Sequence, residues 1–96
     1  MSSNGSRVTL RLYGPLRQAA GGRDVELDSA AATVKEALAQ LVASKGSRVA
    51  EMIFDRRGAV WPSLILLIND EPAGLREASS VSSGDVISVI MPLAGG

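Results

Sequence analysis

Residues Thr33 to Val42 read TVKEALAQLV, and this stretch decides the fold. Glu36 follows Thr33 by three residues, the spacing of a capping box. The threonine hydroxyl accepts from the third helical amide, and the glutamate reaches back. Apolar residues recur at Val34, Ala37, Leu38, Leu41 and Val42, which is one face of an α-helix. Gly46 suits a left-handed cap just past the end, and Lys45 complements the helix dipole in the last turn. A helix with one apolar stripe needs a surface to cover, and the flanking segments supply strands for it.

Upstream, Arg7 to Tyr13 (RVTLRLY) alternates, with Val8, Leu10 and Leu12 on one side and Thr9, Arg11 and Tyr13 on the other. That is a half-buried strand. Gly14-Pro15 breaks it, and Arg17 to Gly22 is expected to form a turn. Arg23 to Asp28 (RDVELD) alternates again, so the two strands suggest a hairpin. Downstream, Val49 to Phe54 suggests a further helical turn, and Asp55-Arg56-Arg57-Gly58 carries a turn signal. Leu64 to Ile68 is continuously apolar, as expected of a strand buried on both faces. Asn69 to Pro72 turns the chain, Ser79 to Ser83 is loop-like, and Val86 to Met91 (VISVIM) is the last strand. Pro92 has no amide hydrogen and ends its ladder. Strand, strand, helix, strand, strand gives an α+β domain: one mixed sheet with the helix on one face.

Ninety-six residues with 46% apolar side chains suffice for one core. The chain has no Cys and no His. It therefore lacks the usual nucleophilic thiol, the commonest general base and the commonest metal ligands. Lys plus Arg and Asp plus Glu number 10 each, so net charge draws it toward neither nucleic acid nor anionic membrane. Residues 1–6, MSSNGS, have no signal-peptide pattern and are expected to be a disordered lead-in to a domain over residues 7–91. The run Leu64 to Ile68 is far too short to span a bilayer. A soluble, cytoplasmic protein is the expectation, with no membrane and no nucleic-acid partner.

No metal-ligand spacing, nucleophile–base pair or phosphate loop is present. Ser79, Ser80, Ser82 and Ser83 have no His to activate them and are expected to form a solvated loop. Gly21-Gly22 is a turn, and Arg56-Arg57 exposes two charges on one. The closing residues, Met91 to Gly96 (MPLAGG), remain. Terminal Gly-Gly arises by chance in about one chain in 200, so a merely frayed end is not favoured. Beyond Pro92, residues 93–96 span about 13–14 Å if extended. Such a tail fits a narrow channel, and glycines at its tip admit close approach. Its reactive group is the Gly96 carboxylate, a poor electrophile until a partner converts its oxygen to a better leaving group.

The chain resembles the ubiquitin-like β-grasp sulfur carriers, the family of the molybdopterin synthase small subunit and the thiamine-pathway carrier. The shared stretches are VTLRLYGPLRQAAGG, TVKEALAQL, LLINDEP and SSGDVISVIMPLAGG, covering almost all of residues 7–96. The closing stretch is the most specific. The resemblance implies a mixed sheet of four to five strands with one main helix, and a non-enzymatic carrier. An E1-like adenylating enzyme would use ATP to adenylate Gly96, and a persulfide sulfur donor would replace AMP with sulfur. A sulfur-accepting synthase subunit would take sulfur from the resulting thiocarboxylate, most closely for molybdopterin. The carrier itself would bind no cofactor and no metal. Gly96 would bear the sulfur and Gly95 would allow close passage, with Leu93 and Ala94 as tail contacts. Tyr13 is either a partner anchor or a strand tyrosine.

Arg48 to Ser63 is longer than in the shortest family members. MIFDRRGAVWPSL resembles the longer carriers, including those serving cysteine synthesis. Phe54 in this stretch is expected in the core; Trp61 is either a lid on the core or a partner contact. Sulfur delivery to cysteine or thiamine synthesis, and conjugation of Gly96 to target lysines as a protein modifier, stand as alternatives. A plain binding module with an inert tail is a third.

Overall fold

The computed structural model describes residues 7–27 and 31–91. The expected lead-in at 1–6 and tail at 92–96 lie outside the described residues.

The chain runs β1 (Val8–Tyr13), α1 (Pro15–Ala20), β2 (Asp24–Leu27), α2 (Val34–Lys45), α3 (Ser47–Ile53), β3 (Ile65–Ile68), β4 (Glu71–Pro72), a 3-10 turn (Arg76–Ala78) and β5 (Val86–Ile90). The strands form one five-stranded mixed sheet in the order β2-β1-β5-β3-β4. β5 lies at its centre, parallel to β1 and antiparallel to β3. β1 and β2 pair antiparallel, Val8 opposite Leu27 and Arg11 opposite Asp24, as expected of a hairpin.

The capping box of α2 is present. Thr33 Oγ1 accepts from the Glu36 amide at 3.2 Å, and Glu36 Oε1 accepts from the Ala32 amide at 2.7 Å. Val34, Ala37, Leu38 and Leu41 are buried and Val42 is half-buried, so the stripe faces the sheet. It meets Val8, Leu10 and Leu12 of β1 with Ile87 and Val89 of β5 in one continuous core. Burying a side chain of this kind contributes about 1.5–3 kcal/mol. Phe54 packs against this core, as expected.

Several sequence expectations need correction. The expected turn over Arg17–Gly22 is mostly helix: α1 begins at Pro15. Proline at the first helical position loses no bond, because that amide would have no partner anyway. Leu16 and Ala20, four residues apart, bury its inner face, and Gly21 closes it in the left-handed conformation (φ 85°, ψ 13°). Gly46 also has positive φ (99°), but its ψ of −174° is not that of a left-handed cap. The chain enters α3 at once, and the Gly46 carbonyl accepts from the Ala50 amide at 3.2 Å. The suggested helical turn after Val49 is thus a helix starting at Ser47. β3 is not buried on both faces: Ile65 is 44% exposed while Leu66 is buried. The helices cover one face of the sheet, and Ile65 lies on the other. Ser79 is not solvated but buried, and its Oγ accepts from the Leu75 amide at 2.9 Å.

The expected turn over Asn69–Pro72 narrows to Asn69–Asp70, because Glu71 and Pro72 pair with Ile68 and Leu67 as β4, whereas the Asp55–Gly58 turn forms as expected. Asp55 Oδ1 accepts from the amides of Arg57 and Ala59 at 2.8 and 3.0 Å and closes the Asp55–Gly58 turn. Asn69 and Asp70 both have positive φ (51° and 72°), which suits a tight β3–β4 hairpin. Asn69 Nδ2 donates to Asp85 Oδ1 at 3.0 Å, and the Val86 amide donates to Asn69 Oδ1 at 2.9 Å. That pair ties the hairpin to the start of β5.

Candidate functional site

The last described residue, Met91, follows β5 at the centre of the sheet, with β1 on one side and β3 on the other. On one side the parallel register sets Tyr13 against Ile90, and Gly14 comes next. A Cβ on Gly14 would stand 3.8 Å from the Met91 carbonyl oxygen, in ordinary contact. Space therefore does not demand glycine there. The backbone does, because Gly14 has φ 66° and ψ −141° as the chain swings from β1 into α1. On the other side the antiparallel register sets Ile65 against Ile90. Residues just before Ile65 therefore lie past the end of β5. They are the turn Trp61–Leu64, closed by the Leu64 amide donating to the Trp61 carbonyl at 3.1 Å.

Tyr13 is 38% exposed and Trp61 is 41% exposed, so both sequence-predicted contact residues are open; Tyr13 sits beside Ile90, and Trp61 begins the turn that lies past the end of β5. Trp61 does not close over the core. Its indole Nε1 donates to the Glu51 carbonyl at 3.0 Å, and its amide donates to the Ile53 carbonyl at 3.0 Å. The ring is thereby fastened to the end of α3. Gly95, Gly96, Ala94 and Leu93 lie outside the described residues.

Arg76 holds the same turn from a second direction. Its Nη1 donates to the Leu64 carbonyl at 2.9 Å and its Nη2 to the Trp61 carbonyl at 3.0 Å. Arg76 has φ 53°, a conformation that a non-glycine residue adopts at some cost. Sequence reasoning missed this residue. It stands alone in GLREASS, and its two acceptors are 12 and 15 residues away.

The sheet face not covered by helices carries one well-formed ion pair. Arg11 Nε donates to Asp24 Oδ1 at 3.1 Å, and Arg23 Nε lies 3.4 Å from the same oxygen. The hydrogen bond from Arg11 holds the Asp24 carboxyl below the usual carboxylate range, against the desolvation that opposes it. The same bond raises Arg11 above its ordinary value. Among the described residues no group of three or more Asp and Glu side chains is placed to hold a metal ion. No helix among them is long and apolar enough to cross a membrane.

A mixed five-stranded sheet grasping a main helix, with β1 and β5 parallel at its centre, defines the class: a ubiquitin-like β-grasp protein. The chain belongs to the ThiS family, whose profile matches residues 10–96. Among solved structures it is similar to the small archaeal modifier protein SAMP1 from Haloferax volcanii. The two are 27% identical, with 94% of this chain and 99% of that chain covered and a TM-score of 0.83. It shares its fold with Urm1 from Trypanosoma brucei, at 20% identity, 99% and 100% coverage and a TM-score of 0.75. It also shares its fold with a chain of the BexX/CysO complex from Amycolatopsis orientalis, at 22% identity, 93% and 99% coverage and a TM-score of 0.69. None of the curated proteins matches the chain by sequence. The family resemblance read from the four shared stretches is thus borne out, and the chain is a member of the ubiquitin-like carrier and modifier group.

Proposed function

We propose that this protein carries sulfur on the carboxyl group of Gly96. An E1-like partner transfers AMP from ATP to that carboxylate and releases pyrophosphate. The terminal sulfur of a persulfide donor then attacks the acyl adenylate and displaces AMP. A second thiol cleaves the resulting acyl disulfide, leaving a disulfide on the donor and a thiocarboxylate on Gly96 that a synthase partner consumes. Molybdopterin synthesis is the acceptor pathway proposed first, with cysteine or thiamine synthesis as alternatives. One observation carries the reading: the family match extends from residue 10 to residue 96 and so takes in the closing MPLAGG. The geometry is compatible with it, since the central strand β5 ends beside exposed Tyr13 and the turn that opens on exposed Trp61. The carrier's own part is to present the carboxylate. With neither His nor Cys in the chain, proton transfer and sulfur supply fall to the partners.

A second reading, conjugation of Gly96 to lysines of other proteins, is favoured by the likeness to a protein named as a modifier. Intact mass measurement separates the two. The protein is incubated with ATP, a persulfide donor and the E1-like enzyme of its source organism. The expected result is a mass gain of one oxygen exchanged for sulfur, lost when Gly96 is deleted. An unchanged mass would overturn the carrier reading. Recovery of Gly96 in an isopeptide bond to another protein would support the second.

A further inference from the structure

We infer that Arg76 is a positioning residue for a docking rim, and that Trp61 is the contact it positions for the enzyme that acts on Gly96. The inference rests on reading Gly96 as the reacting end. Five residues follow Met91, and whatever their conformation they reach at most about 18 Å from it. An enzyme that holds the Gly96 carboxylate in a channel must therefore bring the mouth of that channel against the root of the tail. What it meets there is set by the registers at Ile90: Gly14 and Tyr13 on one side, Ile65 and the Trp61–Leu64 turn on the other.

Trp61 is the one tryptophan of the chain and the largest side chain on that rim. An exposed indole would ordinarily be free to turn. Here four hydrogen bonds fasten Trp61: its indole donates to the Glu51 carbonyl and its amide to the Ile53 carbonyl, and its carbonyl accepts from Arg76 and from the Leu64 amide; the first of these holds the ring itself. Little rotamer freedom then remains to be lost on binding, which is what makes an aromatic anchor effective. Arg76 matters because one planar guanidinium spans two carbonyls of one turn, Trp61 and Leu64, an arrangement that its fixed fork of donors allows. It does this from a left-handed backbone conformation. The strain persists where the turn is fastened to the segment before β5. The opposite side of the rim is joined to the same frame, since α1, which follows Gly14, packs against α3.

The test is ATP–pyrophosphate exchange by the source organism's E1-like adenylating enzyme, run against increasing concentrations of the carrier. Trp61→Ala and Arg76→Ala should each raise KM roughly tenfold while leaving kcat nearly unchanged, because they remove docking and not chemistry. If Arg76 acts through Trp61, the double variant should be no worse than Trp61→Ala alone. A second measurement uses the unaltered protein. Its single tryptophan should shift to shorter emission wavelength when the enzyme is added without ATP, and should do so in a carrier lacking Gly95 and Gly96. Exchange with wild-type protein but unchanged KM in the variants, or additive losses in the double variant, would overturn the inference and leave the Gly96 reading standing. No exchange with the wild-type protein would remove both.

Discussion

At the scale of single residues, the clearest electrostatic feature is Asp24. It accepts from Arg11 at 3.1 Å, and its carboxyl titrates below the usual range because that hydrogen bond favours the charged form. A carboxylate whose folded value is depressed contributes stability above its unfolded value, and that contribution is lost as pH falls through the folded value. The unfolded value is about 3.9, so the loss lies from about pH 4 downward. The pair is exposed, so the effect is small and salt-screened. Asp24→Asn should flatten the acid side of the Tm-against-pH curve slightly in low salt and not at all in high salt. Equal acid slopes for the two proteins in low salt would show that the pair does not contribute. Nothing in the pattern RDVELD singles out Asp24, because its partner is set by the register of β1 against β2.

At the scale of elements, α2 is the part that the sequence specifies most fully. Cap, stripe and boundary all agree within one segment. Removing the cap by Thr33→Ala should cost about 1 kcal/mol. For a domain of this size that lowers Tm by roughly 4–8 °C, with the Glu36 amide left without its acceptor. An unchanged Tm in thermal unfolding would mean that the Ala32–Glu36 bond alone suffices. The elements that were not legible share a physical cause. α1 has six residues, too few to repeat an apolar period, and its opening proline has two local meanings. The apolar run of β3 is the same whether one face or both are covered. Only the layer count, fixed by the placement of α1, α2 and α3, exposes Ile65. At the tail root, Tyr13 and Trp61 could be named from their residue types. Arg76 could not, since its role depends on carbonyls brought to it by tertiary folding.

At the scale of the whole molecule, β5 has two tasks that the fold keeps apart. Its side chains Ile87 and Val89 are fully buried against the helical layer, while its end delivers Met91 to the rim formed by Gly14 and the Trp61 turn. The core therefore lies on one side of the sheet, and the docking surface at one end. Stability and docking should accordingly be separable. Leu38 is fully buried on α2, an element that supplies no residue of the rim. Leu38→Ala should cost about 2–5 kcal/mol in chemical denaturation, the range for truncating a buried leucine. Assayed well below its lowered Tm, the same variant should be activated by the E1-like partner with an unchanged KM, because the rim is held by backbone carbonyls, Arg76 and Trp61. A raised KM in a fully folded Leu38→Ala protein would show that loosening the helical layer reaches the tail root. The two tasks of β5 would then be coupled through the packing of α2 on α3, to which Trp61 is fastened.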